Sequence, residues 1–137
     1  MTIPNRQIDW SDYPNFSASE FACKCGCGRA DMDPAFMDEV QAIRTEAGVP
    51  MSPSSGYRCP AHNAAVNGGP AHPTGKAADF KLRGSGARTV LRVALMRDVI
   101  TGVGVQQSGD SRFLHFDTLR NGEHGVPRPW VWSYTGG

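Results

Sequence analysis

The chain has 137 residues and a mass of 14.8 kDa, enough for one domain with a single core. Fourteen basic against thirteen acidic residues leave a formal charge of +1 with no basic block or stripe, which argues against nucleic acid and anionic membrane as partners. No apolar run approaches the roughly 18 residues of a membrane span, so no membrane insertion is expected. The opening MTIPNRQIDWSDYPNF lacks the basic and apolar regions of a secretory signal, which predicts synthesis as a soluble cytoplasmic chain. Residues 1–137 read as one domain, with 1–15 as an N-terminal arm, in a monomer.

In chain order, Ser17 and Glu20 stand at capping-box spacing and predict a short helical turn at SASEF. DPAFMDEVQAIRTEAG is the clearest helix. Asp33 caps it, Pro34 takes the first helical position, Phe36, Met37, Val40, Ile43 and Ala47 share a face, and Gly48 stops it. VPMSPSSGYR is extended, with Pro53 confining it to an edge or irregular strand, and CPAHNAAV is a short helix with Pro60 near its start. GKAADFKL is a strand. GARTVLRVALMRDVI is a second long helix with Val90, Leu91, Ala94, Leu95 and Val99 on one face. GVGVQ and RFLHFDT alternate in period two around the turn-rich SGDS and predict a hairpin, and WVWSY is a last strand. Together these elements predict an α+β domain with a small antiparallel sheet and flanking helices.

The chemistry concentrates in two places. On RFLHFDT the strand period puts Phe113, His115 and Asp117 on one face and the apolar Leu114 and Phe116 on the other. In PAHPTGKAADF, His72 and Asp79 flank a glycine turn, close enough for a loop and the following strand to aim both at one point. A carboxylate among apolar neighbours needs compensation, and a cation would supply it. Two imidazoles and one carboxylate, with a fourth position left for water, form the ligand set of a catalytic zinc site. Zinc there polarises a carbonyl and lowers the pKa of a coordinated water to about 7. Taken singly, each histidine reads as a surface or hydrogen-bonded residue; the combination of H-x-x-G-x-A-x-D with a later H-x-D carries the metal reading.

SGYRCPAHNAAVNGGPAHPTGKAADF, followed by GVGVQ, FLHFD and PWVWSY, resembles the M15 zinc peptidases of the D-Ala-D-Ala carboxypeptidase type, in particular small phage and bacterial murein peptidases. That group is related in fold to lysostaphin-type endopeptidases and the hedgehog domain. The resemblance runs from about Phe16 to Tyr134 and implies that His72, Asp79 and His115 ligate one Zn2+. It also implies that Arg58 of SGYR faces the substrate, binding its carboxylate or the tetrahedral oxyanion, a task suited to an always-charged fork of donors. The alternative for Arg58 is a surface salt bridge.

Two departures from the family pattern stand out. Ala71 occupies a position near the first histidine where relatives usually have Ser, which removes one hydrogen bond behind the ligand. Many relatives place Glu or Asp three residues before the last histidine, and here that residue is Arg112, which cannot take a proton from water. The carboxylates left for the base are Asp110, in the preceding turn, and Asp117, on the His115 face; Asp110 is favoured as base and Asp117 as an orienting residue. His62, in the helix after Arg58, is placed to line the cleft, and His124 is expected at the surface. Trp130, Trp132 and Tyr134 are expected to pack the core and the cleft wall.

Cys23, Cys25 and Cys27 of CKCGCG, with Cys59 beside Arg58, leave three states open: two disulfides, a structural zinc ion, or plain thiols. Similar phage murein peptidases often carry this cluster, which implies contact between the N-terminal segment and the Cys59 loop. The function the resemblance implies is hydrolysis of a peptide bond in peptidoglycan stem peptides by a murein endopeptidase or D,D-carboxypeptidase, as in a phage lysis or tail-associated enzyme that reaches the wall through a lesion in the host membrane. The rival from another class is a zinc-containing module that binds the wall or a protein without cutting it.

Overall fold

The computed structural model describes residues 7–134. Helices α1 (Ala18–Phe21), α2 (Pro34–Ala47), α3 (Pro60–Ala65) and α4 (Gly84–Leu95) accompany strands β1 (Ser52–Ser55), β2 (Ala77–Lys81), β3 (Gly102–Gln106), β4 (Phe113–Asp117) and β5 (Trp130–Ser133). The strands form one sheet in the order β1-β2-β4-β3-β5. Four of them pair antiparallel, with β3 and β4 as the expected hairpin, but β5 runs parallel to β3. The architecture is α+β as expected, with a mixed rather than wholly antiparallel sheet. The twelve or so residues after β4 carry the chain past β3 to the free edge, and that return sets the parallel direction.

Local signals fix α2. The Asp33 carboxylate accepts from the Phe36 N–H at 3.0 Å, Pro34 occupies the first turn, and Gly48 closes the helix in the left-handed region at φ 65°. Its face of Phe36, Met37, Val40 and Ile43 is fully buried. α4 buries Ala87, Val90, Val93 and Ala94. Two members of its expected face are not inside: Leu95, 58% exposed, is the last helical residue, and Val99, 51% exposed, lies beyond it. The apolar period of the sequence runs past the end of the helix at Leu95.

Phe80 and Phe116 come from the core face of β2 and β4, pair at 6.3 Å between centroids and are completely buried, as are Phe21 and Phe36. Each such ring contributes about 1.5–3 kcal/mol of burial. Residues 1–6 of the arm lie outside the described residues, while its later part is tied down: Tyr13 is 2% exposed and donates to the Pro34 carbonyl at 3.1 Å and the Asp38 carboxylate at 2.9 Å.

The motif glycine Gly75 has φ 75° and packs directly on the 31–33 backbone, where its carbonyl accepts from the Asp33 N–H at 2.9 Å. A Cβ there would fall onto the Asp31 carbonyl. Gly75 therefore joins the start of α2 to the loop that presents His72. Gly75→Ala is expected to cost at least about 1–2 kcal/mol from the left-handed backbone alone, read as a fall of about 5 °C or more in calorimetric Tm; an unchanged Tm contradicts this role.

Candidate metal centre

The pairing register builds the site. Ser55, Asp79, His115, Gly104 and Trp132 stand opposite one another on successive strands, a single row across the whole sheet. Side chains in such a row share a face, so Asp79 and His115 point to the same side, opposite to the core phenylalanines. His72 reaches them from a 3-10 turn (His72–Thr74) just before β2. Its Nε2 lies 3.5 Å from Asp79 Oδ2, and His115 Nδ1 lies 2.9 Å from Asp79 Oδ1. Burial alone would raise the Asp79 carboxyl, but hydrogen bonds from His115 and His72 outweigh it and hold the group well below the ordinary carboxylate range.

The far nitrogen of each imidazole is also held. His72 Nδ1 is 2.9 Å from the Gly56 carbonyl, which can only accept, so Nδ1 carries a proton and Nε2 is the nitrogen turned toward Asp79. His115 Nε2 is 2.8 Å from Asp117 Oδ2, an acceptor, which turns Nδ1 toward Asp79. Burial would lower the His115 pKa, yet the hydrogen bonds to Asp117 and Asp79 raise it, since the ring lies between two carboxylates. These donors suit a divalent cation: two imidazole nitrogens and a carboxylate oxygen lie within 4.8 Å of one another, each ring fixed from behind by an acceptor. His72, Asp79 and His115 would hold zinc.

Asp117 is completely buried and fully engaged. Besides the His115 bond, Oδ1 accepts from Arg128 Nε at 2.9 Å and from the Leu119 N–H at 3.3 Å, and Oδ2 accepts from Arg128 Nη2 at 2.8 Å. Burial would raise its carboxyl, but the His115 and Arg128 hydrogen bonds bring it down to about 2. Arg128 itself lies 5.0 Å above the Trp132 ring. Sequence reasoning missed Arg128, a lone arginine in the PRP segment whose partner lies eleven residues back in β4. It also missed what the β3 glycines do. A Cβ on Gly102 would strike the Asp117 carboxylate, and one on Gly104 would meet the Trp132 and Tyr134 rings at 2.8 Å. The bare β3 backbone leaves room for Asp117 and lets Trp132 close on His115 at 5.0 Å between centroids.

A cleft of about 350 Å3 opens over this row, lined by Arg58, His72, Asp79, His115, Trp132 and Tyr134 among others. Arg58 is held at its rim by two bonds, Nη1 to Asn63 Oδ1 and Nη2 to the Ser55 hydroxyl, both 2.9 Å. Asn63 in turn donates to the Gly69 carbonyl at 3.0 Å, so α3 and the loop after it set the arginine's position. Burial pushes the Tyr134 phenol up to about 12, which keeps it a hydrogen-bond donor at neutral pH.

The other expected residues fall elsewhere. Asp110 and Arg112 line a neighbouring cavity of about 340 Å3 with Lys81 and Arg83, outside the His72–Asp79–His115 cleft. The Arg112 Nε donates to the Gly109 carbonyl at 2.9 Å. His62 is half-buried in α3 and is absent from the cleft lining. His124 is exposed as expected, but Trp130, at the start of β5, is 54% exposed and absent from the core and from the cleft lining.

A histidine–aspartate–histidine centre at the surface of a mixed sheet, with an open side facing a cleft, is the arrangement of a metal-dependent hydrolase. Residues 14–117 match the family model of peptidase M15. The chain belongs to the peptidase M15 family, and is thereby a metallopeptidase of a zinc-dependent kind. No curated protein matches the chain.

Proposed function

We propose that the protein hydrolyses a peptide bond in the stem peptides of bacterial peptidoglycan, acting at the cell wall as an endolysin or wall peptidase. The observation that carries this reading is the open cleft in which Arg58 faces the three convergent metal ligands. When bound, zinc supplies Lewis-acid polarisation of the scissile carbonyl and acidifies a water to a pKa of about 7. Arg58 has five N–H donors, of which Ser55 and Asn63 orient two, and the fork serves the substrate carboxylate or the developing oxyanion. Tyr134 offers a second donor from the β5 side. Asp117, with every oxygen occupied, acts by orienting His115 through Nε2.

Arg58→Lys is expected to lower kcat by about 10²–10³-fold, the scale of losing one oriented oxyanion donor, with zinc content unchanged. A parallel loss of zinc would make Arg58 structural instead.

One observation favours a second reading, a zinc-holding module that binds murein without cleaving it. Among the described residues lining the cleft, Asp79 is the sole carboxylate, with Asp117 sealed beneath and Asp110 outside. Digestion of purified sacculi by zinc-loaded protein, with products identified by mass, separates the two. New amino and carboxyl ends name the bond and support the peptidase; sacculi bound but intact support the module.

A further inference from the structure

Cys23, Cys25 and Cys27 lie in the loop between α1 and α2, and Cys59 follows Arg58 directly. The four sulfurs lie within 4.8 Å of one another, although the two segments are more than thirty residues apart in sequence. Cys23 Sγ is 3.5 Å from Cys25 Sγ, which is 3.6 Å from Cys59 Sγ. Neither separation is that of a disulfide, which needs about 2.05 Å. Four sulfurs bound at about 2.3 Å around one tetrahedral ion lie roughly 3.8 Å apart. Two disulfides require only two close pairs; convergence of all four on one point is what a single ion requires.

The backbone supports the same arrangement. The chain doubles back within the loop, with Cys23 N–H donating to the Arg29 carbonyl at 2.8 Å. The Cys59 N–H points at Cys23 Sγ across 3.3 Å, a bond of the sort that stabilises a ligating thiolate. Beside the cluster, the Tyr57 N–H donates to the Phe21 carbonyl at 2.9 Å, so the loop's start already lies against the strand that leads to Arg58.

We propose that Cys23, Cys25, Cys27 and Cys59 bind a second zinc ion, separate from the His72–Asp79–His115 centre. Four thiolates fill a tetrahedral shell and leave no open position, so this ion is structural. Its binding releases the thiol protons and couples metal to the folding of this region. The ion fastens the loop ahead of α2 to the residue next to Arg58. Arg58 is thus held from two directions, by Ser55 and Asn63 through its guanidinium and by the clip through its backbone.

The test is metal stoichiometry by native mass spectrometry of protein produced with zinc. Two ions per chain are expected in the wild type, one in His115→Ala and one in the double variant Cys25→Ser/Cys27→Ser. Cobalt replacement should give an intense thiolate-to-metal absorption that survives in His115→Ala. Cys25 and Cys27 are exposed, yet ligation should slow their alkylation by at least about tenfold relative to chelator-treated protein. A mass lowered by the hydrogens lost in disulfide formation, with no second ion, overturns the proposal. So does rapid alkylation of Cys25 and Cys27 that a chelator does not change. Should the cysteine variant fail to fold, His115→Ala with its cysteines intact decides the matter: retention of one zinc supports the clip, and none refutes it. These readouts do not depend on catalysis, so an inactive protein that holds zinc at the cysteines would sink the peptidase reading and leave this one standing.

Discussion

His72→Ala is expected to remove one zinc ion per chain and to lower peptide-bond hydrolysis by about three orders of magnitude or more. The imidazole contributes one of three ligand atoms, and its partner Gly56 carbonyl has already fixed which nitrogen faces Asp79. A polarising ion contributes several kcal/mol of transition-state stabilisation, and each 1.4 kcal/mol or so is a factor of ten in rate. The fold should survive, because His72 sits in a turn outside the main core cluster of Phe21, Phe36, Phe80 and Phe116. Zinc content by mass spectrometry and turnover should therefore fall together while the circular dichroism spectrum holds. Retained turnover would place the chemistry elsewhere in the molecule.

Arg128→Ala is the second large effect, and it acts on stability as well as on the site. The guanidinium makes two bonds to a carboxylate with no solvent exposure. Removing one partner of a buried pair leaves an uncompensated charge, at a cost of about 3–5 kcal/mol. The Asp117 carboxyl would then leave its value of about 2 and rise, weakening its hold on His115 Nε2. Losing such support behind a metal ligand typically costs about 10–100-fold in affinity or activity. Arg128→Lys should recover only part of both losses, since an ammonium cannot reproduce the planar two-pronged contact or the position over Trp132. The measurements are calorimetric Tm and zinc affinity by chelator competition. Unchanged values for both in Arg128→Ala would show that Asp117 does not need its arginine.

Much of this was legible in the sequence where the signal was local. Asp33, Pro34 and Gly48 mark α2 to the residue, because capping and helix termination depend on immediate neighbours. The period of β4 separated Leu114 and Phe116 from His115 and Asp117, and the glycine turn between His72 and Asp79 suggested convergence. What escaped reading depends on partners distant in the chain. Nothing in PRP says that Arg128 reaches back to Asp117, and a short alternating strand such as WVWSY carries no record of which edge it joins or in which direction. The position of Asp110, read from the sequence as a turn residue, shows how little a turn says of where its side chains go. β4 begins at Phe113, so the alternation that orders His115 and Asp117 does not extend to the turn, which carries Asp110 to the neighbouring cavity. Gly102 and Gly104 look like weak strand residues until their register partners, Asp117 and Trp132, are known.

We propose that His72, Asp79 and His115 hold the ion on which peptidoglycan cleavage depends. The most direct measurement is the release of new amino groups from purified sacculi as zinc is titrated into chelator-stripped wild type and Asp79→Asn, with zinc at each step counted by native mass spectrometry. Activity that appears in the wild type as its last site fills, and never appears in Asp79→Asn, is the result expected. Equal cleavage by the two proteins, or cleavage before any zinc is added, would contradict it.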